Sequence, residues 1–255
     1  MKTADQPMHR QAPESAKMGE GIVFGLGTGR CGTSSLASLL NGQPETVCFH
    51  ELNPSAMAWS GAEATIGSLM RDFIAILGGG ELYVTADLVA PNRSAPLQRA
   101  RSLPKISAIG DIGSYYLPYV PFMIEQWPGL RFPCLRRNRA EVIASFVRKL
   151  AQPEASVPRN HWSAENDKRW RRDAVWDRCF PTFDEMLDED LEAHVACYYD
   201  AYYEMTEGFV SQYPDHLRII EITDLNSSEG RQGLLDFCLP NRVHADFEVH
   251  KNAGH

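Results

Sequence analysis

Features that define several common protein classes are missing from this 255-residue sequence. It has no run of 18 apolar residues, so we expect no transmembrane helix and no membrane partner. Its N-terminus lacks the apolar core of a secretory signal, and we predict a flexible polar tail over residues 1–20. An excess of positive charge is also missing, because the formal net charge is −8, and this argues against a nucleic-acid-binding protein.

Paired redox motifs and metal motifs are absent as well. The six cysteines include no C-x-x-C pair, and the chain is long enough to fold without a disulfide framework. We therefore expect reduced thiols in a cytoplasmic protein, most of them filling the core. The histidines show no spacing suited to a metal ion, so no metal site is predicted.

Short apolar segments alternate with segments of helical periodicity along the chain. The strands are predicted at 21–27, 45–51, 81–88, 105–111, 130–137 and 216–225. The helices are predicted at 33–41, 64–80, 116–129, 139–151, 187–213 and 229–239. This alternation predicts an α/β fold, a parallel β-sheet flanked by helices. We expect residues 21–255 to form one domain, with residues 152–185 as an inserted lid of helices and loops.

The segment GLGTGRCGTSSL, residues 25–36, joins the first predicted strand to the first predicted helix. Residues 27–34 match the phosphate-binding pattern G-x-x-x-x-G-K-[ST] except at the lysine, which Thr33 replaces. A basic residue occurs instead as Arg30, two positions before Gly32. Backbone N–H groups in such a loop bind anions together with the N-terminus of the next helix. The segment predicts phosphate binding, although a simple turn before a helix would also use these glycines.

A second basic element lies at the end of the strand predicted at 130–137. In FPCLRRNRAEVIAS, Arg137 follows the apolar run and Ser145 comes eight residues later on the next helix. An arginine at the end of a strand can bind a phosphate through two N–H groups, and a serine can add a hydroxyl. Arg136 is a competing candidate, and a solvated basic helix start would explain the same residues.

These two elements resemble those of sulfotransferases that use 3′-phosphoadenosine 5′-phosphosulfate (PAPS). The pattern G-x-x-R-x-G-T-[ST]-x-L is similar to that family's 5′-phosphosulfate loop, and the arginine and serine are similar to its 3′-phosphate site. Cys31 stands where a serine is usual, and Asn138 and Arg139 replace the commoner aspartate and proline. The resemblance is good over residues 21–51 and 105–150 and loose over 215–254.

The resemblance implies a nucleotide-binding transferase that moves a sulfuryl group from PAPS to a hydroxyl or amine, leaving 3′-phosphoadenosine 5′-phosphate (PAP), without a metal. It implies a P-loop-type fold. It also implies a cofactor site formed by Gly29, Arg30, Cys31, Gly32, Thr33, Ser34, Ser35, Arg137 and Ser145. The expected acceptor is a small molecule or a carbohydrate, and a long polyanionic glycan is disfavoured. Nothing in the sequence indicates the oligomeric state.

Transfer to a hydroxyl needs a general base for the acceptor proton and positive charge where the leaving phosphate forms. Arg30 fits the second role. His50 and Glu51 follow the second predicted strand, and we favour Glu51 as the base with His50 as the alternative. Adjacent residues of a strand face opposite sides, so only one is expected to face the substrate.

Two other functions stay open from the sequence alone. A nucleotide-dependent kinase with an atypical P-loop would need a metal-binding aspartate, for which Asp111 is the best candidate. A non-catalytic nucleotide-binding protein would retain the loop without the chemistry.

Overall fold

The computed structural model describes residues 18–52, 62–80, 91–150, 191–246 and 248–249. The strand predicted at 81–88, the insertion predicted at 152–185 and residues 1–17 of the predicted tail lie outside these ranges. The other predicted strands and helices are all present, with ends that move by a few residues.

The described strands are short and largely buried. They are β1 (Ile22–Gly25), β2 (Thr46–His50), β3 (Ala108–Ile112), β4 (Phe132–Arg136) and β5 (Leu217–Glu221).

The described helices alternate with these strands. They are α1 (Thr33–Asn41), α2 (Glu63–Leu77), α3 (Pro91–Ser102), α4 (Val120–Gln126), α5 (Arg139–Leu150), α6 (Leu191–Gln212) and α7 (Ser228–Cys238). Short 3₁₀ helices at Ser114–Tyr119 and Ile222–Asn226 precede α4 and α7. Among the residues described, no helix combines the length and the hydropathy that a bilayer span requires.

The described strands are parallel. They pair in the order β2-β3-β1 in one ladder and β4-β5 in a second. Two isolated parallel bridges, Val23 with Arg131 and Leu26 with Cys134, join β1 to β4. The order is therefore β2-β3-β1-β4-β5, with β1 at the centre, and the predicted α/β architecture is confirmed.

Pro133 explains why the pairing between β1 and β4 is interrupted. Phe24 donates its N–H to the Arg131 carbonyl at 3.0 Å, and Leu26 donates to the Pro133 carbonyl at 2.8 Å. In this register the N–H of residue 133 would face the Phe24 carbonyl, but proline carries no N–H. One ladder bond is lost while the neighbouring bonds keep the sheet continuous.

Aromatic and leucine side chains join α1 and α2 to the sheet. Phe73 of α2 stacks on Phe24 of β1 and Phe49 of β2, with ring centroids 5.9 and 6.4 Å apart. The leucines of α1 are almost fully buried, as their spacing predicts: Leu36, Leu39 and Leu40. Burying one such side chain stabilises the fold by about 1.5–3 kcal/mol, so this layer holds the carboxyl ends of the strands in place.

Helix α3 was not predicted from the sequence. Pro91 and Pro96 both lie in it, and prolines interrupt the pattern by which a helix is recognised. Its Arg99 donates to the carbonyls of Gln43 and Thr46 at 2.7 and 2.9 Å. These bonds attach α3 to the start of β2.

The carboxyl ends of the parallel strands meet at one edge of the sheet. Ile112 is in register with Gly25 on one side and with His50 on the other. The loop after β1 and the residues after β2 and β4 therefore lie along a single edge, which is where open parallel sheets bind ligands.

Candidate functional site

The loop between β1 and α1 follows a backbone path that few residues permit. The φ angle is +133° at Gly27, +70° at Arg30 and +101° at Gly32. A Cβ atom at Gly27 would lie 2.6 Å from Cys31 Sγ, and one at Gly32 would collide with Ile222. Both glycines are required, because the backbone conformation and the space around it exclude a side chain.

The N-terminus of α1 faces this loop and has the features of an anion site. Gly32 is its N-cap residue, no side chain caps the helix, and its first turn carries no acidic residue. Neither the cap nor the first turn of the helix therefore compensates the positive end of its dipole. Thr33, Ser34 and Ser35 form the first turn and place three hydroxyl groups there.

Backbone strain occurs at two of the three residues predicted to be catalytic, Arg30 and Glu51 but not His50. In the described parts of the chain, four residues other than glycine have a positive φ: Arg30, Glu45, Glu51 and Asn241. Glu45 and Asn241 lie in turns. This conformation costs an ordinary residue roughly 1–2 kcal/mol, and such strain is concentrated at functional sites. Arg30 also lies in a turn, whereas Glu51 takes this conformation directly after a strand.

Arg30 and Ser145 are brought together by the fold. The Nε of Arg30 donates to Ser145 Oγ at 3.0 Å. Arg137 lies beside them, because its guanidinium donates to the Arg30 carbonyl at 3.5 Å. Residues predicted to bind opposite ends of a nucleotide thus form one cluster, with the loop on one side and α5 on the other.

The two neighbouring arginines at the end of β4 have different surroundings. Arg136 forms ion pairs with Glu207 at 3.0 Å and with Glu221 at 2.7 Å. Arg137 lies against the loop and pairs with Glu141 at 2.7 Å. Since adjacent residues face opposite ways at the end of a strand, the geometry favours Arg137 over Arg136 as a ligand-binding residue.

The end of β2 approaches the same loop. His50 Nε2 lies 3.0 Å from Thr33 Oγ1, in the first turn of α1. Glu51 donates its N–H to the Ile112 carbonyl at 2.9 Å, and its φ of +54° turns the chain out of the strand. The Glu51 side chain is exposed, whereas His50 is partly buried. Both candidate bases therefore lie at the carboxyl end of β2, and His50 contacts the first turn of α1.

Asp111 does not have the surroundings of a metal ligand. Its side chain is fully buried and accepts hydrogen bonds from the Leu52 N–H at 3.1 and 3.2 Å and from the Tyr115 and Tyr116 hydroxyls at 3.1 and 2.6 Å. Burial raises the pKa of this carboxyl, and these hydrogen bonds oppose the shift. Within the described ranges, no group of three or more His, Cys, Asp or Glu residues could hold a metal ion.

Cys31 points into the protein rather than into the loop opening. Its side chain is fully buried, and burial raises the pKa of the thiol from 9.0 to about 12. Its N–H donates to the Thr28 carbonyl at 3.4 Å. Any contribution of Cys31 to ligand binding would come from the backbone, as expected for a position where the usual hydroxyl is missing.

Three tyrosines of α6 support the site, and sequence reasoning missed them. The Tyr202 hydroxyl accepts the Gly27 N–H at 3.0 Å and donates to the Ser114 carbonyl at 3.2 Å. Tyr203 donates to the Leu135 carbonyl and Tyr199 to the Arg137 carbonyl, both at 2.7 Å. The sequence CYYDAYYEM, residues 197–205, shows aromatic residues at helical spacing, a pattern that core packing alone would explain. One rule could have identified these residues from the sequence: a buried tyrosine needs a hydrogen-bond partner for its hydroxyl.

No protein-family model matches the chain. No curated protein matches it either. Among solved structures, a sulfotransferase from Alicyclobacillus acidocaldarius is 16% identical with a TM-score of 0.45, and the alignment covers 89% of this chain and 84% of that one. The sulfotransferase domain from the curacin biosynthetic pathway is also 16% identical, with a TM-score of 0.44 and coverages of 86% and 73%.

Proposed function

We propose that this chain is a PAPS-dependent sulfotransferase that sulfates a hydroxyl or amine of a small molecule or carbohydrate. The observation that carries the proposal is the hydrogen bond from Arg30 to Ser145. It joins the residue predicted for the 5′-phosphosulfate end of the donor to a residue predicted for the 3′-phosphate. Two sequence elements 115 residues apart thereby contact each other, which supports a single anion-binding site that includes both.

The residues present fit a donor with negative charge at both ends. The N-terminus of α1 and its hydroxyls would bind the 5′-phosphosulfate together with Arg30. Arg137 and Ser145 would bind the 3′-phosphate, with Arg137 as a forked donor. PAPS supplies the sulfuryl group. Arg30 would stabilise the negative charge that develops on the bridging oxygen as the donor is cleaved.

We assign the role of general base, which removes the proton of the attacking acceptor hydroxyl, to Glu51, with His50 as the alternative base. A carboxylate at the edge of the site can accept a proton from an attacking hydroxyl once the acceptor lies within hydrogen-bond distance. The strained backbone at Glu51 supports this role, since strain is kept only where the surrounding structure maintains it. The bond of His50 to Thr33 favours a role for His50 in orienting the first turn of α1.

The kinase alternative finds less support in the same residues. A kinase needs a metal ion held near the phosphates and a lysine on the β- and γ-phosphates. The loop has Thr33 at the lysine position, and the lone pairs of Asp111 are used by protein donors. PAPS has no γ-phosphate, so neither group is needed for its binding.

Calorimetry tests the proposed donor. We expect PAP to bind in the absence of Mg²⁺ and ATP to bind much more weakly with or without it. Tight binding of Mg-ATP without binding of PAP would overturn the proposal in favour of a kinase.

A matched pair of substitutions tests the proposed base. Glu51→Gln should retain PAP binding and lower turnover by about 10²–10⁴-fold, the usual contribution of a general base. The control is Glu45→Gln, which changes a second glutamate with positive φ at the opposite end of β2. Normal turnover of Glu51→Gln would disprove the assignment, and the same measurement on His50→Asn would then test the alternative.

A further inference from the structure

We propose that Asp111 is a positioning residue that acts through Glu51, an inference that rests on the proposed function. The Asp111 carboxylate binds the N–H of Leu52, the residue directly after Glu51, and so keeps Glu51 in its left-handed conformation at the acceptor side of the site. Asp111 itself touches neither donor nor acceptor.

The geometry at the end of β2 requires such an acceptor. Glu51 completes the strand by donating its N–H to Ile112 on β3. In a regular strand the next N–H, that of Leu52, would face away from β3, and the turn at Glu51 brings it back within reach of Asp111 on β3. A buried N–H without a partner is strongly disfavoured, and Leu52 is only 1% exposed. Both oxygens of Asp111 accept this N–H, which stabilises the turn.

The turn decides where the Glu51 side chain lies. Phe49 packs on Phe73 of α2, whereas His50 on the opposite face reaches Thr33 of α1. If β2 continued as a regular strand, residue 51 would share the face of Phe49 and lie toward α2. The left-handed turn redirects the chain, and the Glu51 side chain is exposed. The position of the proposed base therefore depends on the bond that closes the turn.

Asp111 is itself held rigidly. Tyr116 and Tyr115 donate their hydroxyls to Oδ2, at 2.6 and 3.1 Å. The Tyr116 ring packs edge-on against Phe24 of β1, with centroids 4.7 Å apart. A contiguous set of buried contacts thus runs from the central strand to the backbone of Glu51. Precise placement of a reacting group is what such supporting contacts provide.

The kinetic test uses a double-mutant cycle between Asp111→Ala, which removes both acceptor oxygens, and Glu51→Gln. We follow the release of PAP from PAPS with water as the acceptor, and the binding of PAP by calorimetry. Asp111→Ala alone should lower turnover about 100-fold, as a misplaced group does, and leave PAP affinity unchanged. In the Glu51→Gln background it should cause no further loss, because the residue it positions is already inactive. Losses that multiply would overturn the inference and leave Asp111 with a purely structural role.

A structural readout completes the test and does not depend on activity. Crystal structures of Asp111→Ala and Tyr116→Phe should each show residue 51 outside the left-handed region. An unchanged positive φ in either variant would refute the positioning role. Tyr116→Phe decides the question if Asp111→Ala fails to fold, because it removes only one donor to the carboxylate.

A control variant and a measurement on the wild-type chain distinguish a failure of this inference from a failure of the proposed function. Asp246→Asn removes a carboxylate that accepts from Arg231 and Ser228 outside the site, and it should leave turnover unchanged. If the wild-type chain neither binds PAP nor releases it from PAPS, the proposed function fails. The φ angle of residue 51 in the two variants still decides whether Asp111 holds the turn.

Discussion

Arg30 Nε lies 3.0 Å from Ser145 Oγ, and these two residues join the loop between β1 and α1 to α5. Arg137 contacts the carbonyl of Arg30 from the same side. A nucleotide with phosphates at both its 3′ and 5′ positions would be held by all three residues. These contacts therefore indicate which substitutions should change ligand binding and which should change the stability of the fold.

Arg30→Ala should weaken PAP binding strongly. Loss of one charged hydrogen-bond donor costs about 1.5–3 kcal/mol, or roughly 10- to 100-fold in affinity. Arg30→Gly removes the same side chain and also relieves the left-handed backbone, so it should be more stable than Arg30→Ala by about 1 kcal/mol. Calorimetry and thermal unfolding measure the two effects. Equal stability of the two variants would show that the φ angle at Arg30 is not strained.

Glu141→Gln should tighten PAP binding slightly. Glu141 pairs with Arg137 at 2.7 Å and competes with a phosphate for its guanidinium. Both side chains are substantially exposed, so the pair contributes about 1 kcal/mol or less, and we expect a gain of at most about fivefold. The gain should disappear at high salt, where such pairs are screened. Weaker binding by this variant would mean that Glu141 orients Arg137 instead.

Gly32→Ala should abolish PAP binding and lower the melting temperature. Its φ is +101°, and an added Cβ would collide with Ile222. The backbone alone costs roughly 1–2 kcal/mol. The control is Gly208→Ala within α6, where nothing lies within 4 Å of an added Cβ. That change should stabilise the protein by about 0.5–1 kcal/mol.

The burial of Cys31 predicts a loss of stability at alkaline pH. Its thiol pKa is about 12 in the folded protein against 9.0 ordinarily, so above pH 9 the unfolded chain releases a proton that the folded chain retains. The stability associated with this thiol is full below pH 9 and falls as the pH rises toward 12. Cys31→Ser, which we expect to fold and bind PAP, should lose less stability over that window. Unfolding by urea at several pH values measures the difference.

Native Cys31 should also resist alkylation. A buried thiol with a raised pKa carries almost no thiolate near neutral pH. Iodoacetamide followed by peptide mass spectrometry should leave Cys31 unmodified in the folded protein and modified after unfolding. Rapid modification without unfolding would show that the loop opens.

Local sequence patterns predicted most of the described fold. Apolar runs and helical periodicity located the strands and helices because a side chain's burial is set largely by its own element. Helix α3 was missed because its prolines hide the pattern, and the break at Pro133 depends on which strand lies opposite. Neither feature can be derived from the segment that contains it.

The sequence by itself determined that a glycine-rich loop joins β1 to α1, because an apolar run, a cluster of glycines and a helical period are all local signals. The tertiary structure alone decided that Arg137 faces the loop while Arg136 pairs with acidic residues of β5 and α6. It also decided the partners of Asp111 and of the α6 tyrosines. The physical reason is that parallel strands bring their carboxyl ends to one edge, so the site consists of contacts between residues far apart in the chain.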